Sequence, residues 1–127
     1  MSYLFIFIGG GIGAVFRVLL GGWIDSHTGQ SFPWGTIVIN ILGSFTIGLV
    51  AFGTDVDSRY YLPSIARQFI MLGILGGFTT FSSFSLQTLQ LARDGEWFSA
   101  ALNVTISLVL CLVGVWLGAL CGQAVNR

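Results

Sequence analysis

Lysine is absent from these 127 residues, and only 8% of them carry a charge, against roughly a quarter in an ordinary soluble domain. So sparse a supply of charge does not clothe a water-exposed globule. The five arginines balance five acids, which leaves no basic surface for nucleic acid and no polybasic tail for anionic lipid. Histidine occurs once, at His27, and cysteine twice, at Cys111 and Cys121. The two thiols share one apolar segment and would lie about 15 Å apart along a helix, too far to bond each other. A His/Cys metal centre is excluded by the same scarcity. Nor is there a nucleophile and base pair, a carboxylate dyad or a phosphate-cradling glycine motif, so neither an enzyme nor an ATP-driven pump is expected.

What is abundant is apolar sequence, 54% of the chain. About 20 apolar residues cross a bilayer, and four such runs are found, at about 3–24, 33–53, 64–92 and 97–122. The expected fold class is an all-α membrane protein of four transmembrane helices in a single domain. The first run is too long for a removable signal peptide. Asp25 to Ser31 ends it, Pro33 opens the second at a position a helix tolerates, and Ser64 is placed to cap the third. Arg93-Asp94-Gly95-Glu96 forms a tight turn before the fourth. Trp23, Trp34 and Trp97 stand at span ends, where an aromatic belt sits. The positive charges give almost no orientation bias: Arg59, Arg67 and Arg127 fall on one side against Arg93, with Arg17 inside the first span. Either five charges are too small a sample, or the chain inserts both ways and pairs antiparallel.

Polar groups inside a span are costly unless they pair or line a wet cavity. Thr36, Asn40, Ser44 and Gly48 recur every four residues in the second span, and Asn103, Ser107 and Cys111 do so in the fourth, so each set stacks on one helical face. Both rows read either as interhelical glue or as the two walls of a narrow path. Gly9, Gly13 and Gly21, then Gly73 and Gly77, then Gly114, Gly118 and Gly122 are rows of small residues, read as packing seams. Arg17 reads either as a snorkelling structural residue or as the charge of an anion-attracting vestibule. The third run contains Gly76-Gly77-Phe78-Thr79-Thr80-Phe81-Ser82-Ser83-Phe84-Ser85, whose paired glycines, β-branched pair and serines weaken the helical ladder and predict a break near mid-membrane. Irregular backbone at that depth occurs only where it is buried or lines a cavity, and freed carbonyls there suit a small cation. Phe81 and Phe84 share a face just past the break.

These residues resemble the small four-span fluoride channels called Fluc, also known as CrcB proteins. The likeness covers essentially the whole chain: the Gly-rich first helix ending in Arg17, the Trp34-Gly35-Thr36 to Asn40 stretch followed by Gly43, and above all the run from Gly76 to Ser85. The resemblance implies a fluoride-selective channel, passive and without a nucleotide, built as an antiparallel dual-topology homodimer with two pores in a cell (inner or plasma) membrane. By position it implies pore residues Asn40, Phe81, Phe84 and Ser107, to which Thr80 and Gln87 are added as plausible hydrogen-bond donors. It also implies a structural Na⁺ at the dimer interface, held by the backbone carbonyls of Gly76 and Thr79. Gln87 stands where many members carry Glu, Cys111 where many carry a second serine, and Asn103 where some carry tyrosine. An amide still contacts an anion, so conduction is expected to survive at Gln87. The competing readings are a non-conducting or heteromeric structural subunit, and a small multidrug-type exporter. The latter needs a membrane-embedded carboxylate, and none of the four expected spans holds one.

Overall fold

A computed structural model describes residues 2–127, all of their regular structure helical. The elements are α1 (Ser2–Thr28), α2 (Trp34–Gly53), α3 (Ser64–Gln68), a π-helical stretch (Phe69–Leu75), α4 (Gly76–Phe78), α5 (Phe81–Arg93) and α6 (Trp97–Val125). Four helical segments are long and apolar enough to cross a membrane: α1, α2, the composite third segment Ser64–Arg93, and α6. Their large side chains point outward. Phe7, Val18, Leu112 and Trp116 are all exposed, while the buried apolar set among the described residues is Ile37, Ile39, Leu75, Phe84 and Ala100. A bilayer solvates such a surface as readily as a neighbouring helix would, so association rests on close backbone packing rather than on hydrophobic burial.

The glycine rows supply that packing. A Cβ at Gly13 would strike the Ile74 carbonyl, and one at Gly9 would lie 2.8 Å from the Phe69 carbonyl, so α1 seats directly on the backbone of the third segment. Along the α2–α6 seam, Gly48 faces the Val115 carbonyl, Gly118 faces that of Phe45, and Gly122 meets Gly53. Gly21, by contrast, makes room for the side chain of Ile39.

Three helix ends depart from the sequence expectation. α1 runs through Asp25 and His27 to Thr28, because polar side chains fold back onto its last carbonyls: Ser26 Oγ donates to Trp23 O at 2.7 Å and Thr28 Oγ1 to Ile24 O at 2.9 Å. Gly29, at φ +84°, then turns the chain. Asp25 therefore lies inside a helix, but its Oδ1 accepts the Gly35 amide N–H at 2.8 Å and anchors the start of α2. Ser64 does not cap α3. The extended Pro63 holds the cap position, and Ser64 Oγ instead accepts from Gln68 Nε2 at 3.2 Å. At the end of α6, Asn126 Nδ2 donates to Phe52 O and Ser58 Oγ, both at 3.0 Å, tying the chain terminus to the α2–α3 loop.

From α3, Arg67 clasps the end of α2, donating to Ala51 O at 3.1 Å and pairing with Asp55 of that loop at 2.9 Å. The Val56 amide, then Arg67, hold the Asp55 carboxyl below its ordinary value of 3.8. A depressed folded pKa gives stability that is complete above the unfolded value and vanishes as pH falls through the folded one. Asp55→Asn is thus expected to melt slightly below wild type at pH 7 and level with it well below pH 3.8. The effect is small because the pair is exposed; paired thermal melts at the two pH values check it.

Candidate functional site

The third segment changes character twice. Phe69–Leu75 widens into π geometry, a distortion that recurs at functional positions in helices. Then Thr79 (φ −85°, ψ 156°) and Thr80 (φ −152°, ψ 115°) are extended between α4 and α5. The Thr79 amide still closes on Leu75 O at 3.0 Å, and side chains make the other bonds described at this point. Thr79 Oγ1 donates to Leu75 O at 3.0 Å, finishing the preceding turn. Thr80 Oγ1 accepts the Ser83 amide at 3.2 Å and so caps α5. From α2, Asn40 Nδ2 donates to Thr80 O at 3.0 Å while the Thr80 amide donates to Asn40 Oδ1 at 2.8 Å. From α1, Arg17 Nη1 donates to Thr79 O across 3.4 Å.

Around these residues lies a cavity of about 310 Å³, lined by Asn40, Gly43, Ser44, Thr79, Thr80, Phe81, Phe84, Ser107 and Cys111 together with Gly76 and apolar neighbours. Among the described residues its lining holds no charged side chain. The cavity reaches the protein surface, since Phe81 is 72% exposed, whereas Phe84 is 8% exposed. The two rings lie 5.2 Å apart between centroids, at 52°. One turn beyond Phe84, Gln87 opens into a second, polar cavity of about 760 Å³ with Asp25, Gln30, Gln90, Asp94, Glu96 and Ser99. Gln87 Oε1 is buried there without a hydrogen-bond donor among the described residues.

Seven of the nine residues named from sequence thus meet in one cavity: Asn40, Gly76, Thr79, Thr80, Phe81, Phe84 and Ser107. Gln87 belongs to the neighbouring one, and Arg17 lines neither but reaches the extended backbone instead. The two polar rows divide. Asn40 and Ser44 face the cavity, whereas Gly48 packs against α6; Ser107 and Cys111 face it, whereas Asn103 is 1% exposed. Asn103 joins helices, its Nδ2 donating to Thr88 Oγ1 at 2.9 Å and its Oδ1 accepting from Ser107 Oγ at 3.4 Å. Thr88 Oγ1 passes the bond on to Phe84 O at 2.8 Å. Thr88 escapes a sequence reading because a lone threonine on a helix gives no periodic signal.

The donor inventory differs from the expectation in two places. Thr80 Oγ1 is engaged by Ser82 and Ser83, so its hydroxyl serves the α5 cap. The Ser107 hydroxyl points its proton at Asn103, although the 3.4 Å bond is long enough to be exchanged for a better acceptor. Two backbone carbonyls lose their helical partners. Thr80 N–H serves Asn40 rather than Gly76 O, and Ser83 N–H serves Thr80 Oγ1 rather than Thr79 O, which accepts from Arg17 instead. Neutral carbonyl oxygens are the ligands a hard cation takes, so Gly76 O fits a Na⁺ as it stands, while Thr79 O fits one on the lone pair that the long 3.4 Å Arg17 bond leaves open.

Fold and site define a polytopic α-helical membrane protein whose third segment borders an uncharged, mainly apolar cavity set with a few polar groups. The profile of the family described as "CrcB-like protein, Camphor Resistance (CrcB)" matches residues 4–119. The chain belongs to the CrcB family. It is 53% identical over 124 residues to the "Fluoride-specific ion channel FluC" of Opitutus terrae, covering 98% of this chain and 94% of that one. It is also 53% identical over 127 residues to the protein of the same name from Rhodospirillum rubrum, covering 100% and 98%. The Geobacter sulfurreducens protein of that name is 45% identical over 125 residues, covering 96% and 97%.

Proposed function

We propose that this protein is a fluoride-selective channel that lets cytoplasmic fluoride leave passively down its electrochemical gradient, as an antiparallel homodimer with two pores in a cell (inner or plasma) membrane. The observation that carries the reading is the uncharged cavity bordered by the Phe81 and Phe84 rings. Fluoride is small and strongly hydrated, so a selective path replaces its water with oriented donors and still binds weakly enough to release it. Aromatic edges carry partial positive charge and offer no fixed trap. Ser107 and the remaining Asn40 N–H present further donors, and Gln87 continues the path into the larger polar cavity. The names of the relatives point the same way.

Two features support a second copy. The cavity opens at the surface of a membrane-spanning bundle with polar groups of Asn40, Ser44 and Ser107 on its wall, and such groups need a cover other than lipid. The charges are also unequal at the two ends. Asp25, Asp94 and Glu96 with Arg93 give one end a net −2, and Asp55 and Asp57 with Arg59, Arg67 and Arg127 give the other +1, with Arg17 within the bundle. An antiparallel pair places one of each end at either membrane face. In such a pair Gly76 and Thr79 of both copies would hold the Na⁺, which supplies fixed positive charge and ties the extended segments together. The cycle needs no energy input: HF enters as a neutral acid, dissociates inside, and the trapped anion leaves through the channel.

Proteoliposomes containing only this protein, loaded with KF or KCl and opened to K⁺ flux with an ionophore, provide the test. Rapid fluoride release with chloride retained is the expected result, and it shows that Gln87 suffices. Well-folded dimers that release no fluoride would point to a structural or heteromeric subunit. Gln87→Glu separates that case from a pore that requires the acid.

A further inference from the structure

We infer that Asn40 is a positioning residue that holds the extended Thr80, and through it the Phe81–Phe84 pair, rather than a freely rotating ligand for the ion. Its two bonds to the Thr80 backbone, 2.8 and 3.0 Å, use the amide as donor and acceptor together. This is the exchange that paired residues make across neighbouring β-strands. Only one orientation of the amide satisfies both, because its NH₂ must meet the Thr80 carbonyl and its oxygen the Thr80 N–H. The need is physical. An extended residue within a membrane-spanning segment has no water for its N–H and C=O, and each group left unpaired is costly.

The neighbouring turn of α2 is shaped for the same contact, since a Cβ at Gly43 would strike Thr79 Cγ2. Asn40 and Gly43 together therefore dock α2 onto the two extended residues. Thr80 in turn caps α5 through its hydroxyl, and Phe81 and Phe84 lie on the first turn of that helix. The orientation of the aromatic pair is thereby linked to an amide 40 residues earlier in the chain. With one N–H and one acceptor site committed, Asn40 keeps a single N–H for the cavity. The charged and titratable groups closest to this arrangement are Arg17 of α1, on the Thr79 carbonyl, and Cys111 of α6, on the cavity wall.

The inference rests on the channel reading only for its transport readout. In fluoride-free detergent, residue-resolved amide exchange is measured at Thr80, referred to the amide of Val104 in α6. Asn40→Leu is expected to speed Thr80 exchange roughly tenfold or more and to leave Val104 unchanged. If Asn40→Leu does not fold, Asn40→Ser is measured the same way. Exchange at the wild-type rate, with efflux lost, overturns the inference and makes Asn40 a direct ligand of the ion.

A second arm uses Asn40→Asp. Protonated, its carboxyl reproduces both bonds; ionised, it has no proton for the Thr80 carbonyl. Efflux through Asn40→Asp, relative to wild type at each pH, is expected to fall at least roughly tenfold from pH 5 to pH 9 as the carboxyl ionises. An Asp variant that matches wild type at every pH also overturns the inference. Should wild type itself move no fluoride, the channel reading fails, and the exchange arm still decides the role of Asn40.

Discussion

Fluoride efflux through Phe84→Ile is expected to fall roughly a hundredfold against wild type, equivalent to about 2.7 kcal/mol of barrier, with the fold and oligomeric state unchanged. Phe84 is 8% exposed, lines the smaller cavity and stands one helical turn before Gln87 of the larger one. Isoleucine fills comparable space but removes the electropositive ring edge, so the loss would report chemistry rather than collapse. Phe81→Ile is expected to act in the same direction: its ring is 5.2 Å from that of Phe84 and stands at the cavity opening. Size-exclusion chromatography with efflux on the same preparation separates a dead pore from a change of assembly. Unchanged efflux in both variants would remove the rings from the path.

Gly118→Val should have the largest effect on folding, destabilising the bundle by about 3 kcal/mol or more. A Cβ at residue 118 meets the Phe45 carbonyl, which is backbone and has no rotamer with which to retreat. α2 and α6 would have to separate, and with them the walls that present Asn40 and Ser107. Gly11→Ala is the matched control, since nothing lies within 4 Å of a Cβ there, and alanine is the better helix former. Denaturation curves in detergent should show a large loss for the first variant and no loss for the second. A Gly118→Val protein as stable as wild type would mean that the seam can shift.

The residues of the sequence differ in how much of this they reveal. Gly114, Gly118 and Gly122 announce their seam because the spacing of a helix surface is periodic, and the structure sets them against α2. Thr79 and Thr80 are conspicuous because β-branched residues after paired glycines are poor helix formers. The pairing of Asn40 with Thr80 is not visible in this way: it joins residues far apart in the chain, and no local pattern encodes a partner at that range. The same limit hides the bond between Asn103 and Thr88, so the sequence leaves Asn103 open between interhelical glue and path wall, and only the structure, where it is almost wholly buried, makes it glue. The end of α1 is missed for the opposite reason. Ser26 and Thr28 look like terminators by composition, yet they extend the helix by bonding its own carbonyls.

The wide turn at Phe69–Leu75 makes angle depend on residue count. An α-helix advances about 100° per residue, and a π-helical stretch, closed from i to i+5, advances less. The half-helix after it therefore leaves at an azimuth fixed by how many residues the wide turn contains. Deleting one of them would preserve every functional side chain and rotate the whole constellation away from α2 and α6. Aim in this protein is thus a counted property of the chain, separable from the chemistry that is aimed.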